Sequence, residues 1–352
     1  MKQLRNNVIR AGLEALYLTG AHHLLRPIFA GVGTIFTLHH VRPPRDGEFQ
    51  PNRHLEVAPE FLRAMLSHVR SRDIDIITMD ELHTRLCERN FSRRFACFTF
   101  DDGYRDNRDF ALPIMKEFEA PFTVYVTSDF ADGVGRLWWI ALEAVIRRAD
   151  SIEVVIAGLS SRFDTSTPSA KRAAFDRLHD HLRSLPGQHD LKREIDALCA
   201  RHGVDQTAIC RELCLSWDEL KSMANEPLVA IGAHSVSHCN LAIEREEAAR
   251  CEMTTSRARI ENALQQPALH FAYPYGNKHA AGAREFALAQ ACGFLTAVTT
   301  RPGMIFAESA GHMTALPRVS LNGNYQEVRI LPVLTSGAAT AMWNGFRRID
   351  AA

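Results

Sequence analysis

The chain lacks any excess of charge: Lys+Arg and Asp+Glu stand at 41 each in 352 residues. No global field therefore draws it to nucleic acid or to an anionic membrane. No stretch reaches the roughly 18 consecutive apolar residues that a membrane-spanning helix needs. There is no Cys-x-x-Cys pair, and the 8 cysteines are scattered. Cys210 and Cys214 lie four apart on an expected helix without further ligands, and Cys97 falls in an expected core strand. Reduced thiols in a cytoplasmic setting are the expectation. The first residues show no uninterrupted apolar core before a small-residue cleavage site, so no secretory signal is expected. Instead Val8, Leu13, Leu16, Tyr17 and Leu24 recur among Lys2, Arg5, Arg10 and Glu14. This is the pattern of an amphipathic helical segment over 1–33, expected to pack on the domain, with peripheral membrane association as the alternative. Internal repeats and low-complexity tracts are absent.

What is present is ordinary for a large enzyme core: 46% apolar and 23% charged residues. Short apolar runs alternate with helical segments. Thr34 to His40 reads as a first strand, Ile74 to Thr78 as a short one, and Phe95 to Phe100 as a buried one. Phe122 to Thr127, Leu228 to Ala233, Leu269 to Tyr273, Phe294 to Thr299 and Leu316 to Ser320 follow. Helices are expected over Pro59–Val69, from Met79, over Arg108–Phe118, Glu244–Gln265 and Ala281–Ala291. This alternation predicts parallel α/β architecture. Residues 136–225 break the rhythm and read as a mostly helical insertion, with a hairpin near 152–165. A helical tail follows over 326–352.

Two constellations stand at the carboxyl ends of expected strands, where α/β folds gather their chemistry. Thr99-Phe100-Asp101-Asp102-Gly103 sets two carboxylates side by side. Like charges so close resist joint ionisation unless something uses them. A metal would take one as ligand and leave the other free to accept a proton; a solvated Asp-Asp-Gly turn is the alternative. His234-Ser235-Val236-Ser237-His238 places two imidazoles four apart, a spacing many zinc sites use. One carboxylate with two imidazoles makes a three-ligand site open to water, the catalytic type.

These two runs, with Phe271-Ala272-Tyr273-Pro274-Tyr275-Gly276, resemble the three motifs of the NodB-homology polysaccharide deacetylases. The similarity spans residues 34 to 320 or so. It implies a distorted (β/α) barrel of about seven parallel strands, over 34–325, that removes acetyl groups from sugars containing N-acetylglucosamine. It also implies that Asp102, His234 and His238 hold a divalent metal and that Asp101 is the general base. Zinc suits that ligand set, though cobalt, nickel or manganese would also fit. A bound metal lowers the pKa of its water from roughly 16 toward ~7, giving the nucleophile, and polarises the carbonyl. The backbone N–H of Tyr275 maps to the family's oxyanion contact. The implied partner is an acetylated oligo- or polysaccharide.

The chain departs from the family in two places. Many relatives carry the general acid as a late histidine, and here the one histidine after residue 300 is His312. His39 is the preferred donor, with His40 beside it; strand alternation sends them to opposite faces, so one of the two enters the barrel mouth. Some relatives hold the base with an arginine four residues before the motif's proline, where this chain has His270. Arg318, at the end of the last expected strand, is the candidate replacement. Trp138 and Trp139, in a loop expected to overhang the site, and Tyr273 are the candidate sugar contacts. Two alternatives stand beside deacetylation. One is a related hydrolase of cyclic ureides or imides; the other is a saccharide-binding protein without catalysis, which has no use for an acid beside three ligands.

Overall fold

The computed structural model describes residues 2–156 and 159–348. One sheet holds β1 (Gly33–Leu38), β2 (Asp75–Ile76), β3 (Phe95–Phe100), β4 (Phe122–Val126), β5 (Val229–Ala233), β6 (His270–Ala272), β7 (Thr296–Pro302) and β8 (Leu316–Ser320). Their order is β1-β8-β7-β6-β5-β4-β3-β2, and β1 also pairs with β3. Seven parallel strands thus close into the distorted (β/α) barrel that the resemblance implies, with β2 as an extra strand. The closure runs from Gly33 opposite Phe95 to Leu38 opposite Phe100. The last strand enters beside the first, Phe36 opposite Val319. β2 meets the start of β3 at Phe95 and Ala96, and β4 takes its end from Phe98 to Phe100.

Every residue of β1 and β3 is buried, as continuous apolar runs in a parallel sheet should be. Alternation sorts the side chains into two layers. Ile35, Cys97, Val298 and Leu316 fill the barrel interior. Phe36, Leu38, Phe98 and Phe100 pack outward under the helices. Among these helices are Pro59–Arg70, Glu246–Leu264 and Ala283–Ala291, whereas Met79–Glu88 packs Met79, Leu82 and Leu86 with the interior residues. Met79–Glu88 begins on a Thr78 hydroxyl that accepts the Glu81 N–H at 3.0 Å. The segment expected as one helix from Arg108 begins with a wider, π-type turn over Asn107–Ala111 before Leu112–Glu117.

Between β4 and β5 the chain builds a short helix Ser128–Ala131, helix Trp138–Arg148, an antiparallel hairpin of Ser151–Ile156 with Leu159–Asp164, and four further helices. Trp138, Leu142, Phe175, Leu178 and Ile195 form a core of their own there. Trp138 and Trp139 therefore open a helix and are buried, where a loop was expected. At the amino end, Gly20 (φ 68°) breaks the expected single helix into Lys2–Leu18 and Ala21–Phe29. Of its expected apolar face, Leu13 and Leu16 are buried, whereas Val8, Tyr17 and Leu24 are exposed. All eight cysteines are free thiols. No described helix is long and apolar enough to cross a membrane.

Candidate active site

Strand parity sets the site. Ile35 and Thr37 face inward from β1, and His39 continues that series into the mouth. Cys97 and Thr99 do the same from β3, and Asp101 follows them. Asp101 N–H donates to the Leu38 carbonyl at 3.0 Å, extending the β1–β3 pairing by one residue. Alternation would send Asp102 outward. Its φ of 74° breaks the strand and turns it back to the mouth. Ser235 (63°), His238 (55°) and Tyr275 (60°) share this left-handed conformation, which non-glycine residues seldom hold. Such strain persists only where the surroundings over-determine it, and here it marks the aspartate, histidine and Tyr275 turns.

The histidine loop is built by buried hydrogen bonds. His234 N–H donates to the Val126 carbonyl at 2.9 Å, and the Thr127 hydroxyl donates to the His234 carbonyl at 3.0 Å. Glu252 accepts the N–H groups of Val236 and Ser237, both at 2.9 Å. The Ser235 hydroxyl accepts the N–H of His238 at 3.0 Å. His234 Nδ1 lies 2.7 Å from the Ala272 carbonyl, an acceptor only, so Nδ1 carries the proton and the Nε2 lone pair is free.

Nε2 of His234 and of His238 lie 3.4 and 3.3 Å from Asp102 Oδ1. Two ligands about 2.1 Å from one tetrahedral ion would be separated by about 3.4 Å. The Asp102 Oδ1 atom is buried without a hydrogen-bond partner. Among the described residues this is the group of His, Cys, Asp and Glu whose donor atoms could hold a metal, all within 4.8 Å of one another. The residues fit a divalent cation. Burial works against the Asp102 charge, but His238 and His234 outweigh it and hold its carboxyl well below the usual range.

Arg318 lies wholly buried against Asp101. Its two terminal nitrogens donate to Oδ1 and Oδ2, each at 2.7 Å, a bidentate clamp. It also donates to the Thr299 carbonyl at 2.8 Å and to the Thr99 hydroxyl at 3.1 Å. Burial would raise the Asp101 pKa, yet the charge and hydrogen bonds of Arg318 keep it below its ordinary value. His270 has no part in this. It is buried lower in the barrel wall, with Nδ1 2.8 Å from Thr296 Oγ1 and Nε2 3.2 Å from Asp80.

A cavity of about 340 Å³ opens above these residues, lined by His39, Asp101, Asp102, His234, His238, Tyr275 and both tryptophans among others. Trp138 Nε1–H donates to the Tyr275 hydroxyl at 2.9 Å, and the Trp139 ring centroid lies 4.9 Å from that of His238. The Tyr275 backbone N–H is committed to no hydrogen bond among the described residues. Its turn is locked by Gly276, where a Cβ would meet Thr300 N at 2.7 Å. Burial lowers the His39 pKa, opposed in part by Asp102 and Asp101. The Asn107 side chain donates to the His39 carbonyl at 2.7 Å and fixes its backbone.

Three candidates stand elsewhere. Tyr273 does not line the cavity; it is fully buried in the core, its hydroxyl donating to the Thr314 carbonyl at 2.8 Å. Its N–H continues the β6–β7 pairing to Val298, so it still obeys the strand and points away from the mouth. His40 faces outward, stacked on Tyr104 at 3.5 Å and bound to Asp106 at 2.6 Å. His312 is exposed and precedes β8, at the opposite end of that strand from Arg318 and Ser320. Residues that sequence reasoning missed also line the cavity: Asn52 and His54 from the loop after β1, and His179 and Arg183 from helix Pro168–Arg183. Nothing local in the sequence marks them; tertiary packing brings them to the mouth.

A closed (β/α) barrel with its polar residues gathered at the carboxyl ends of the strands defines an enzyme with a candidate metal centre. Residues 88–294 match the family model described as polysaccharide deacetylase. The chain belongs to that family and is a hydrolase of carbon–nitrogen bonds other than peptide bonds. No curated protein sequence matches it. Its fold is similar to that of the Streptococcus pyogenes deacetylase PplD in complex with acetate, at 16% identity and a TM-score of 0.55, covering 83% of this chain and 92% of that one. It is similar to IcaB from Ammonifex degensii, at 16% identity and 0.53, covering 86% and 97%. The polysaccharide deacetylase BC0361 from Bacillus cereus aligns at 15% identity and 0.53, covering 86% and 68%.

Proposed function

We propose that this chain removes N-linked acetyl groups from an oligo- or polysaccharide containing N-acetylglucosamine. The observation that carries the reading is the pairing of a clamped carboxylate, Asp101, with an adjacent convergent triad of Asp102, His234 and His238. A divalent metal held by that triad, zinc being the best match to its donors, would polarise the acetyl carbonyl and acidify a water. Asp101 takes the water's proton; its ionised form is held ready by Arg318. The Tyr275 N–H, free of other bonds, donates to the developing oxyanion. Trp138 and Trp139, 2% and 6% exposed, shape the wall of the sugar-binding cavity from the insertion's core and do not offer it a ring face. His39, which lines the cavity beside Asp101 and Asp102, donates a proton to the leaving nitrogen. Acetate release from N-acetylglucosamine oligomers, measured before chelation, after it, and on adding back single metals, tests the reading. Activity that survives full chelation would sink it.

The assignment of the acid has its own test. His39→Ala is expected to lower kcat on amide substrates by roughly 10²–10⁴-fold. Activated acetate esters should suffer far less, because a good leaving group departs without a proton. His312→Ala should be nearly silent on both. An amide-selective defect in His312→Ala would move the acid off β1.

A further inference from the structure

The two ends of the chain pack together around Leu13, Leu16, Ile330 and Val333. The first helix buries that face, yet its opposite face is apolar as well. Leu4, Val8, Ala11, Ala15 and Leu18 recur at intervals of 4, 3, 4 and 3, which sets them in one stripe, and all are exposed. Leu4 is 69%, Val8 63% and Leu18 74% exposed. One turn apart on the next helix, Leu24 and Ile28 extend the surface at 79% and 49%. Trp343 joins it under the Arg5 guanidinium, 5.3 Å from the ring centroid. Phe346 joins it beside Phe29, with ring centroids 5.7 Å apart. Apolar patches of this extent on a protein surface mark an interaction site.

The rim of the patch is basic. Arg5, Arg26, Arg347 and Arg348 are all exposed around it. The one carboxylate on the two amino-terminal helices, Glu14, is paired with Arg329 at 2.7 Å. Beside Leu24, a crevice gathers Arg26, Arg72 and Arg94 with no carboxylate among its lining residues. The zero net charge of the whole chain conceals this local excess. A second copy docking here by two-fold symmetry would set basic rim against basic rim, which is unfavourable. Phosphate headgroups over an acyl interior complement both the rim and the stripe.

We propose that the paired terminal helices dock on an anionic phospholipid bilayer, with the apolar stripe at the headgroup–acyl boundary and the arginines on lipid phosphates. Docking holds the active site close to the bilayer surface. Arg5 and Arg10 of the same helix line a cavity of about 710 Å³ that shares His54, His179 and Arg183 with the catalytic cavity.

Flotation of the full chain with phosphatidylcholine vesicles, with and without about one-third phosphatidylglycerol, tests this. The protein should float with the mixed vesicles, less so as salt rises, and remain behind with phosphatidylcholine alone. Leu4→Glu/Val8→Glu/Leu18→Glu should abolish flotation while its thermal melting is unchanged. Arg26→Gln and Arg348→Gln should each weaken partition about fivefold. Failure of the parent protein to float with mixed vesicles overturns the proposal, as does undiminished flotation of the triple glutamate variant. A dimer that the same triple variant dissolves, without vesicle binding, would assign the face to a second copy and likewise overturn it.

Discussion

Arg318→Met should lower the free energy of unfolding by about 3–5 kcal/mol and abolish acetate release, because it strands the Asp101 carboxylate in the barrel without its cation. The methionine fills most of the space, so the loss comes from uncompensated charge and not from a cavity. A second substitution separates the two effects. Adding Asp101→Asn removes the stranded charge, and the double variant should regain much of the lost stability while remaining inactive. Urea unfolding with parallel turnover assays reads both quantities. An Arg318→Met protein that unfolds at the parent's urea concentration would show that the clamp, although buried at 0% side-chain exposure, carries little of the fold.

His234→Ala and His238→Ala should each reduce bound divalent metal at least tenfold and reduce turnover with it, since two remaining ligands hold an ion poorly. Asp101→Asn should behave otherwise. Its side chain points to Arg318 and not to the triad, so metal content should stay near one per chain while turnover falls. Elemental analysis of the purified variants, beside acetate release, distinguishes ligand from base. Equal metal loss in all three would place Asp101 among the ligands and leave the proton without an acceptor.

Much of this architecture is legible in the sequence because buried parallel strands announce themselves as apolar runs. Leu316–Ser320 lies where it was expected, and Phe95–Phe100 likewise. Parity then carries the reading from strand to site: Ile35, Thr37 and His39 share a face, and His40 does not. What parity cannot reveal is where it fails. Asp102 and Tyr275 reach the mouth because their backbones turn left-handed, and a sequence pattern contains no sign of that. Tyr273 shows the converse. It resembles Tyr275 in composition and neighbourhood, yet its N–H is still paired to β7 and so it stays in the core. His54, His179 and Arg183 were illegible for a different reason: they arrive through the packing of loops and an inserted helix, which no local rule describes. The amino-terminal stripe was half legible. The sequence grouped Val8, Leu13, Leu16, Tyr17 and Leu24 in one pattern, but two faces are apolar, and that Leu13 and Leu16 are the covered ones depends on helices more than three hundred residues away.

The barrel closes by setting its last strand between the first and the seventh, and Arg318 lies on that last strand. Asp101 and Arg318 are 217 positions apart in the chain. A ribosome adding about 5–20 residues per second needs roughly 10–40 s to cover that distance. During translation the Asp101 carboxylate therefore exists well before its guanidinium, and it must wait in water, since burying it alone is too unfavourable. The carboxyl end of β3 can dehydrate only when β8 arrives. A product truncated before residue 318 is therefore expected to be inactive: it carries all three motifs, the histidine loop among them, but lacks the guanidinium that keeps Asp101 charged inside a closed barrel.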